Sequence, residues 1–296
     1  MNVFSAFDGM SNGQLALQAL GIPYKKYFAS EIDKFAIQIT QKNFPGTIQL
    51  GNIENVDAKK LPKIDLLIGG SPCQGLSIGN QYKKGLDDPR SKLFYKFVQL
   101  KEELQPSFFF LENVRMDKKS ENEFSKLMGV KPIRLDAALF SAARRKRLYW
   151  TNIPFKGVLE DRGILFRDIL DDNTEGYALS SLLKKRYRKL CDDNGEKLVI
   201  GTTALEGKIG NRDRVYGVNH KMATLNASDY KQPKQVLVNG ELRKITAIEC
   251  ERCHGIPDNY TEGVSLSQRY KMIGNGWDVH TIIELFKGLL KTKQDE

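Results

Sequence analysis

Short apolar runs alternate with helix-patterned stretches through the first half of this 296-residue chain, and that alternation constrains the fold more than any other feature. Val3 to Phe7 reads as a strand, followed by a glycine turn and a helix over Gln14 to Leu20. Tyr27 to Ser30 is a second strand, and a helix runs from Asp33 towards Phe44. A third strand ends at Asn52 and Ile53. Asp65 to Ile68 forms another and leads into Gly69-Gly70-Ser71-Pro72. Ser91 to Leu104 has helical periodicity. Ser107 to Leu111 is continuously apolar, as expected of a parallel strand covered on both faces. Ile133 to Ala137 and Arg147 to Thr151 close the series. Strand and helix in alternation predict an α/β fold with a doubly wound, mostly parallel sheet.

Beyond about Pro154 the texture changes. Residues 159 to 240 are richer in charge, Gly, Asn and Thr, with weak periodicity, and predict a smaller domain of short strands and loops. A helical pattern returns near Thr246, and Asp278 to Leu290 reads as an amphipathic helix. The expected division is 1–158 with 262–296 as the larger domain and 159–261 as the smaller one.

The formal net charge of +10 favours a polyanionic partner, since Lys and Arg gain by releasing the counterions condensed on phosphates. A basic surface serving only solubility is the plainer alternative. No apolar run is long enough to cross a bilayer and no basic-then-apolar leader is visible, so the expected place of action is the cytoplasm, with no membrane partner. Nothing demands more than a monomer. Four cysteines (Cys73, Cys191, Cys250 and Cys253) suggest no disulfide framework. Cys250-Glu-Arg-Cys253-His254 matches a haem-attachment pattern, but that chemistry goes with export. Zinc would need a second Cys/His pair at finger spacing. No metal is expected, and Cys250 and Cys253 read as two small side chains one helical turn apart.

Chemistry-bearing residues gather at predicted strand ends. Phe7-Asp8-Gly9-Met10-Ser11-Asn12-Gly13 joins the first strand to the first helix, and its glycines let backbone approach a ligand. Its spacing fits neither a Walker loop nor G-x-G-x-x-G. Glu31 ends the second strand, where an acidic side chain commonly bonds ribose hydroxyls. A solvated carboxylate near a helix start is the alternative. Asn52 and Ile53 suit the amino group and face of an adenine ring. Cys73 follows Pro72 at the sheet's functional edge and is a candidate nucleophile if its thiolate is favoured; the alternative is a buried inert thiol. Glu112, at the end of the next strong strand, can meet a base edge. Gly75 to Arg90 reads as a mobile lid whose Lys83, Lys84 and Arg90 can hold phosphates. Arg145 and Arg147, two apart before Leu148-Tyr149-Trp150, are expected to share a strand face.

With these residues in place, the chain resembles the C5-cytosine DNA methyltransferases from Phe4 to Leu290. The strongest pieces are Gly70-Ser71-Pro72-Cys73-Gln74, Leu111-Glu112-Asn113-Val114 and Arg145-Lys146-Arg147-Leu148-Tyr149. Arg243-Lys244-Ile245-Thr246, with Glu249, Arg252 and Gly255-Ile256-Pro257, follows in family order. Gln268-Arg269-Tyr270-Lys271 and Ile273-Gly274-Asn275-Gly276 complete it. The resemblance implies a Rossmann-like catalytic domain using S-adenosylmethionine and a smaller target-recognition domain. It implies Cys73 as nucleophile, Glu112 as the grip on the cytosine ring edge, and Arg145 with Arg147 as its basic support. It carries the cofactor site onto Phe7, Gly9, Ser11, Gly13, Glu31, Ile32, Asn52, Ile53, Pro72 and Leu93, and onto Asn275, Gly276 and Trp277. The implied reaction flips a cytosine out of double-stranded DNA and methylates its carbon 5 through a covalent adduct. A cognate restriction endonuclease is the partner such enzymes can have.

Several positions depart from the common pattern. Asn52 stands in place of the usual Asp, Leu76 varies Gly-Phe-Ser, and Ala143 replaces a frequent Gln. Gly276-Trp277 replaces a common Ser-Val. The Ala-rich run before Arg145 and the Trp after Gly276 are similar to animal de novo methyltransferases. In the small domain, Arg212, Arg214, His220, Lys221 and Lys231 sit among Gly, Asn and Thr, a composition able to meet bases and phosphates. Two other functions keep the same residues in play: methylation of tRNA, and a catalytically silent regulatory homologue.

Overall fold

A computed structural model describes residues 1–72, 92–155, 157, 159–195, 197–205 and 209–291. The described chain falls into two compact units. One comprises Met1–Asp136, Lys146–Val158 and Thr281–Glu296, the other Ala137–Arg145 and Leu159–His280.

The first unit is built on a seven-stranded sheet. Its strands are β1 (Asn2–Ala6), β2 (Lys26–Ser30), β3 (Ile48–Gln49), β4 (Leu66–Gly70), β5 (Phe108–Val114), β6 (Ile133–Asp136) and β7 (Lys146–Thr151), in the order β3-β2-β1-β4-β5-β7-β6. The reversal of order beside β1 is the point at which α/β sheets open a crevice at their carboxyl edge. Helices α1 (Asn12–Ala19), α2 (Lys34–Asn43), α3 (Lys92–Leu104) and α4 (Lys118–Met128) belong to the same unit. Phe94, Phe97, Val98 and Leu100 put a buried stripe on α3 at helical spacing. Phe94 stacks on Phe124 of α4 with ring centroids 3.6 Å apart.

The sheet is mostly parallel, as expected, with β7 the exception: it runs antiparallel to both β5 and β6. The cause is connection length. The helical crossover through α4 sets β6 parallel to β5 one place away, and the nine residues between β6 and β7 cannot make a second crossover, so β7 returns in the gap with reversed sense. The third strand ends at Gln49, earlier than expected. Asn52 instead caps a 3-10 turn over Ile53–Asn55, accepting the Glu54 N–H at 3.0 Å. Helix α4 escaped the sequence reading because its sequence is strongly polar, with only Ser120, Glu121, Phe124 and Met128 buried.

The second unit carries a five-stranded sheet in the order β12-β11-β10-β9-β8. Its strands are β8 (Arg188–Lys189), β9 (Val199–Thr202), β10 (Arg214–Tyr216), β11 (Gln235–Val238) and β12 (Glu241–Lys244). All pairs are antiparallel except β10 with β11. Helix α5 is Ser181–Arg186, and α6 (Ala247–Cys253) begins on a capping box: Thr246 Oγ1 accepts the Glu249 N–H and Glu249 accepts the Thr246 N–H. Cys250 and Cys253 are buried on α6, and burial pushes both thiols well up. Residues 262–280, expected with the first unit, group with the second, as do 137–145. The reason lies in α7 (Leu266–Asn275), which packs on the turn Ala227–Tyr230 of the second unit. A Cβ on Gly274 would stand 2.3 Å from the Asn226 carbonyl carbon, so only glycine allows that approach. The expected terminal helix is two, α8 (Val279–Phe286) and α9 (Gly288–Lys291).

Candidate active site

Backbone geometry shapes the turn after β1. Phe7, Gly9 and Ser11 have φ values of 58°, 59° and 67°. A left-handed Phe is strained, the kind of conformation that persists where a site over-determines it. Here hydrogen bonds hold the turn: the Asp8 N–H donates to Ser30 O at 3.1 Å, and the Gly9 N–H donates to Glu31 Oε2 at 2.8 Å. Glu31 Oε1 accepts the Ile32 and Asp33 N–H groups at 2.7 and 2.9 Å. Three of the roughly four lone-pair sites of this carboxylate are therefore occupied, leaving one for an outside donor.

A cavity of about 150 Å³ opens at this edge. It is lined by Phe7, Ser30, Glu31, Ile32, Asn52, Ile53, Pro72 and Leu93. Seven of these eight positions are cofactor positions expected from sequence, drawn from five separate stretches of chain. Ile32 is 75% exposed, unusual for its type, which leaves an apolar face free beside Glu31. Ser30 went unnoticed in the sequence; its hydroxyl donates to Gly51 O at 2.7 Å. Gly9 acts on this site through Glu31. Ser11 and Gly13 are buried at the start of α1 and do not line the cavity. Asn275, Gly276 and Trp277 lie at and beyond the end of α7, in the second unit, with the Gly276 N–H bonded to Met272 O at 2.8 Å.

Asp8 is a further residue that sequence reasoning passed over. Tyr27 Oη donates to its Oδ1 at 2.9 Å, while Oδ2 is buried without a hydrogen bond among the described residues. Burial pushes the carboxyl up to about 6, against the hydrogen bonds that favour its charged form and with a smaller push from Glu31. The preceding strand run, all apolar or small, hides this pocket of polarity.

At the neighbouring strand end, Gly70 of β4 pairs with Glu112 of β5. Arg147 Nε lies 2.8 Å from Glu112 Oε1, and both side chains are mostly buried. The N–H direction misses the oxygen, so charge rather than a linear hydrogen bond holds the pair. Next to Glu112, the buried Asn113 amide donates to Ser71 O at 3.2 Å and to Ser71 Oγ at 2.9 Å. Asn113 thus tethers the Ser71-Pro72 turn beside Glu112, and Pro72 is also a wall of the cavity. Cys73 is the next residue in sequence. Cys73 itself and the lid 75–90, with Lys83, Lys84 and Arg90, lie outside the described residues.

The two arginines have different partners. Strand β7 starts at Lys146, and Arg145 stands just before it, its carbonyl accepting the Ala137 N–H at 3.2 Å. Arg145 is 3% exposed and donates to Leu225 O and Gly274 O, both at 3.2 Å, within the second unit. Arg147 alone partners Glu112.

Among the expected DNA contacts, Arg212 is exposed and Arg214 half-buried at the start of β10. Lys221 is committed elsewhere: its Nζ lies 2.7 Å from Asp161 Oδ1 and holds that carboxyl below its usual range. His220 has its Nε2 buried without a hydrogen-bond partner. The run through these residues is laced into the unit by Phe166 N–H to His220 O at 2.9 Å and Met222 N–H to Ala142 O at 2.7 Å.

Comparison with known proteins identifies the lineage. The profile of the C-5 cytosine-specific DNA methylases matches residues 1–131 and 152–291. The chain is 31% identical over 288 residues to the type II methyltransferase M1.ScrFI of Lactococcus lactis subsp. cremoris, spanning 90% of this chain and 72% of that protein. It is 29% identical over 297 residues to the type II methyltransferase M.HhaI of Haemophilus parahaemolyticus, spanning 91% and 88%. The fold is shared with the Entamoeba histolytica methyltransferase EhMeth, with a TM-score of 0.75 at 21% identity over 99% of this chain and 98% of that one. On the strength of the profile match and of the first relative, this chain belongs to the C-5 cytosine-specific DNA methylase family.

Proposed function

We propose that the protein flips a cytosine out of double-stranded DNA and methylates its carbon 5 through a covalent Cys73 adduct, with S-adenosylmethionine as donor. One observation carries this reading: Pro72 lines the cavity while Ser71, one residue earlier, is bonded by the neighbour of Glu112, so one turn joins cavity to carboxylate.

The cavity lining fits a nucleoside-bearing cofactor. Glu31 keeps one acceptor site for a ribose hydroxyl, and Phe7, Ile32, Ile53 and Leu93 offer apolar faces to a purine. Asn52 spends one lone pair of its Oδ1 on Glu54 N–H and keeps another for an amino group. S-adenosylmethionine, when bound, supplies an electrophilic methyl group on sulfur. The residues of the chain do the rest. The Cys73 thiolate adds to carbon 6 of the flipped cytosine, which makes carbon 5 nucleophilic. Glu112 accepts from the amino group through one oxygen and, through the other, shares a proton with ring nitrogen 3 that balances the electron shift, and Arg147 fixes Glu112 in place. Loss of the carbon 5 proton and departure of Cys73 then restore the ring. Arg145 serves as an anchor within the second unit, and Arg212 and Arg214 there meet the DNA. A restriction endonuclease of matching specificity is the partner that the type II names of the relatives suggest.

Methyl transfer measured side by side on duplex DNA and tRNA, followed by bisulfite sequencing of the DNA, tests this reading. Transfer to cytosine in DNA is expected; label on tRNA alone, or on no nucleic acid, overturns it.

A further inference from the structure

Away from the cavity, the first unit has an open groove of about 490 Å³ between α4 and the edge strand β6. Four cations flank it: Lys118, Lys126, Lys131 and Arg134. Among the described residues the only carboxylate in its lining is Glu121, which already accepts from Lys118 Nζ at 3.0 Å and Arg134 Nη2 at 2.5 Å. Glu121 is nearly buried, whereas Lys118 and Arg134 keep 74% and 53% of their side chains exposed. Lys126 and Lys131 are exposed and have no ion pair or hydrogen bond among the described residues. The groove therefore carries a local charge of about +3, two of it unmet by any group among the described residues.

The layout selects among anions. Lys118 stands at the start of α4, four residues after β5 ends at the edge that holds Glu112, and Lys126 lies eight residues further on. At 1.5 Å per helical residue the two positions are about 12 Å apart, and Lys131 extends the row. A single phosphate or carboxylate meets one of these cations. A nucleic-acid strand, with a charge about every 3.4 Å of axis, meets them in succession.

We propose that this groove binds the sugar-phosphate backbone of duplex DNA away from the target cytosine, as a second contact independent of sequence. The proposal rests on the reading of DNA as substrate. Since its contacts are to phosphates, it adds affinity and orientation but no base discrimination.

The test uses the full chain and a duplex of about three helical turns, with affinity measured by anisotropy across a salt series. Lys126→Gln with Lys131→Gln is expected to lower the slope of log affinity against log salt by about 2 and to weaken binding roughly tenfold or more near 0.1 M salt. Lys126→Arg with Lys131→Arg is expected to keep the slope, which separates lost charge from a damaged fold. An unchanged slope in the Gln variant overturns the proposal. So does competition by polyglutamate at concentrations that match DNA, which would assign the groove to an acidic protein. Methyl transfer by the unaltered protein is read in parallel: its absence refutes the function proposed above, while transfer with an unchanged slope refutes the groove alone.

Discussion

In the first unit, the interior strand β5 buries Phe109, Phe110 and Leu111, and Phe110 meets Phe286 edge-on at 5.2 Å. In the second unit, comparable weight falls on charged groups. Arg243 and Glu249 form a buried bidentate pair at 2.8 and 2.5 Å. Glu251, with no exposed surface, accepts the N–H groups of Asn259 and Thr261, the Thr261 hydroxyl and the Arg269 guanidinium. The second sheet also buries apolar side chains, with Leu179, Val215 and Leu242 in one cluster and Ile200, Tyr216 and Val236 buried besides. The first unit is packed around apolar strands, and the second adds buried charged pairs to its interior. The candidate site residues Glu31, Pro72 and Glu112 stand at the strand ends of the first unit.

The sharpest way to break this contrast is Glu249→Ala. It strands the Arg243 guanidinium, opens the α6 capping box and frees the Asp171 N–H. The expected cost is about 3–5 kcal/mol, read as a large fall in Tm. A change below about 1 kcal/mol would show that buried charge is not what holds the second unit.

The corresponding test in the first unit is Asn113→Ala. It removes both bonds to Ser71 and should cost about 1–3 kcal/mol of stability. The fold should survive, while kcat falls roughly tenfold to a hundredfold through a misplaced Pro72 turn. DNA affinity should hold. Equal losses of kcat and DNA affinity would mean that Asn113 supports the unit as a whole rather than the turn.

Asp8→Asn sharpens the comparison by pH. The folded carboxyl, at about 6, stands above its ordinary value of 3.8, so the native state binds the extra proton between these limits. The stability it contributes is full below about 4 and is lost as pH rises through 6. Between pH 4 and 8 the unaltered protein should lose up to about 3 kcal/mol relative to the Asn variant, whose carbonyl still accepts from Tyr27. Parallel Tm curves for the two proteins would show that Asp8 is ionised at no cost.

Periodicity made the first unit legible, because strands buried on both faces are written as apolar runs and the site residues stand directly after them. Glu31, Pro72 and Glu112 could be placed that way. Asn52 could not, since the strand before it is only two residues long and its cap is a local turn. The partners of Arg145 could not be read, since the Leu225 and Gly274 carbonyls lie 80 and 129 residues away. The second unit was legible at α6, where Thr246 and Glu249 spell a capping box. Its sheet was not, because strands of two to four residues are too short to show a period of two. Asp8 and Asn113 were visible as letters but not as roles, since each acts through a partner on another strand.

The central claim is that the residue 73 thiolate bonds covalently to a cytosine gripped by Glu112. Duplex DNA carrying fluorine in place of hydrogen on carbon 5 tests it most directly, because fluorine cannot leave as the proton does and the adduct cannot resolve. With S-adenosylmethionine present, intact mass measurement should find protein plus one DNA strand plus one methyl group, and Cys73→Ser should abolish that species while still binding duplex. An adduct that survives in Cys73→Ser, or methyl transfer to ordinary DNA by that variant, would contradict the account.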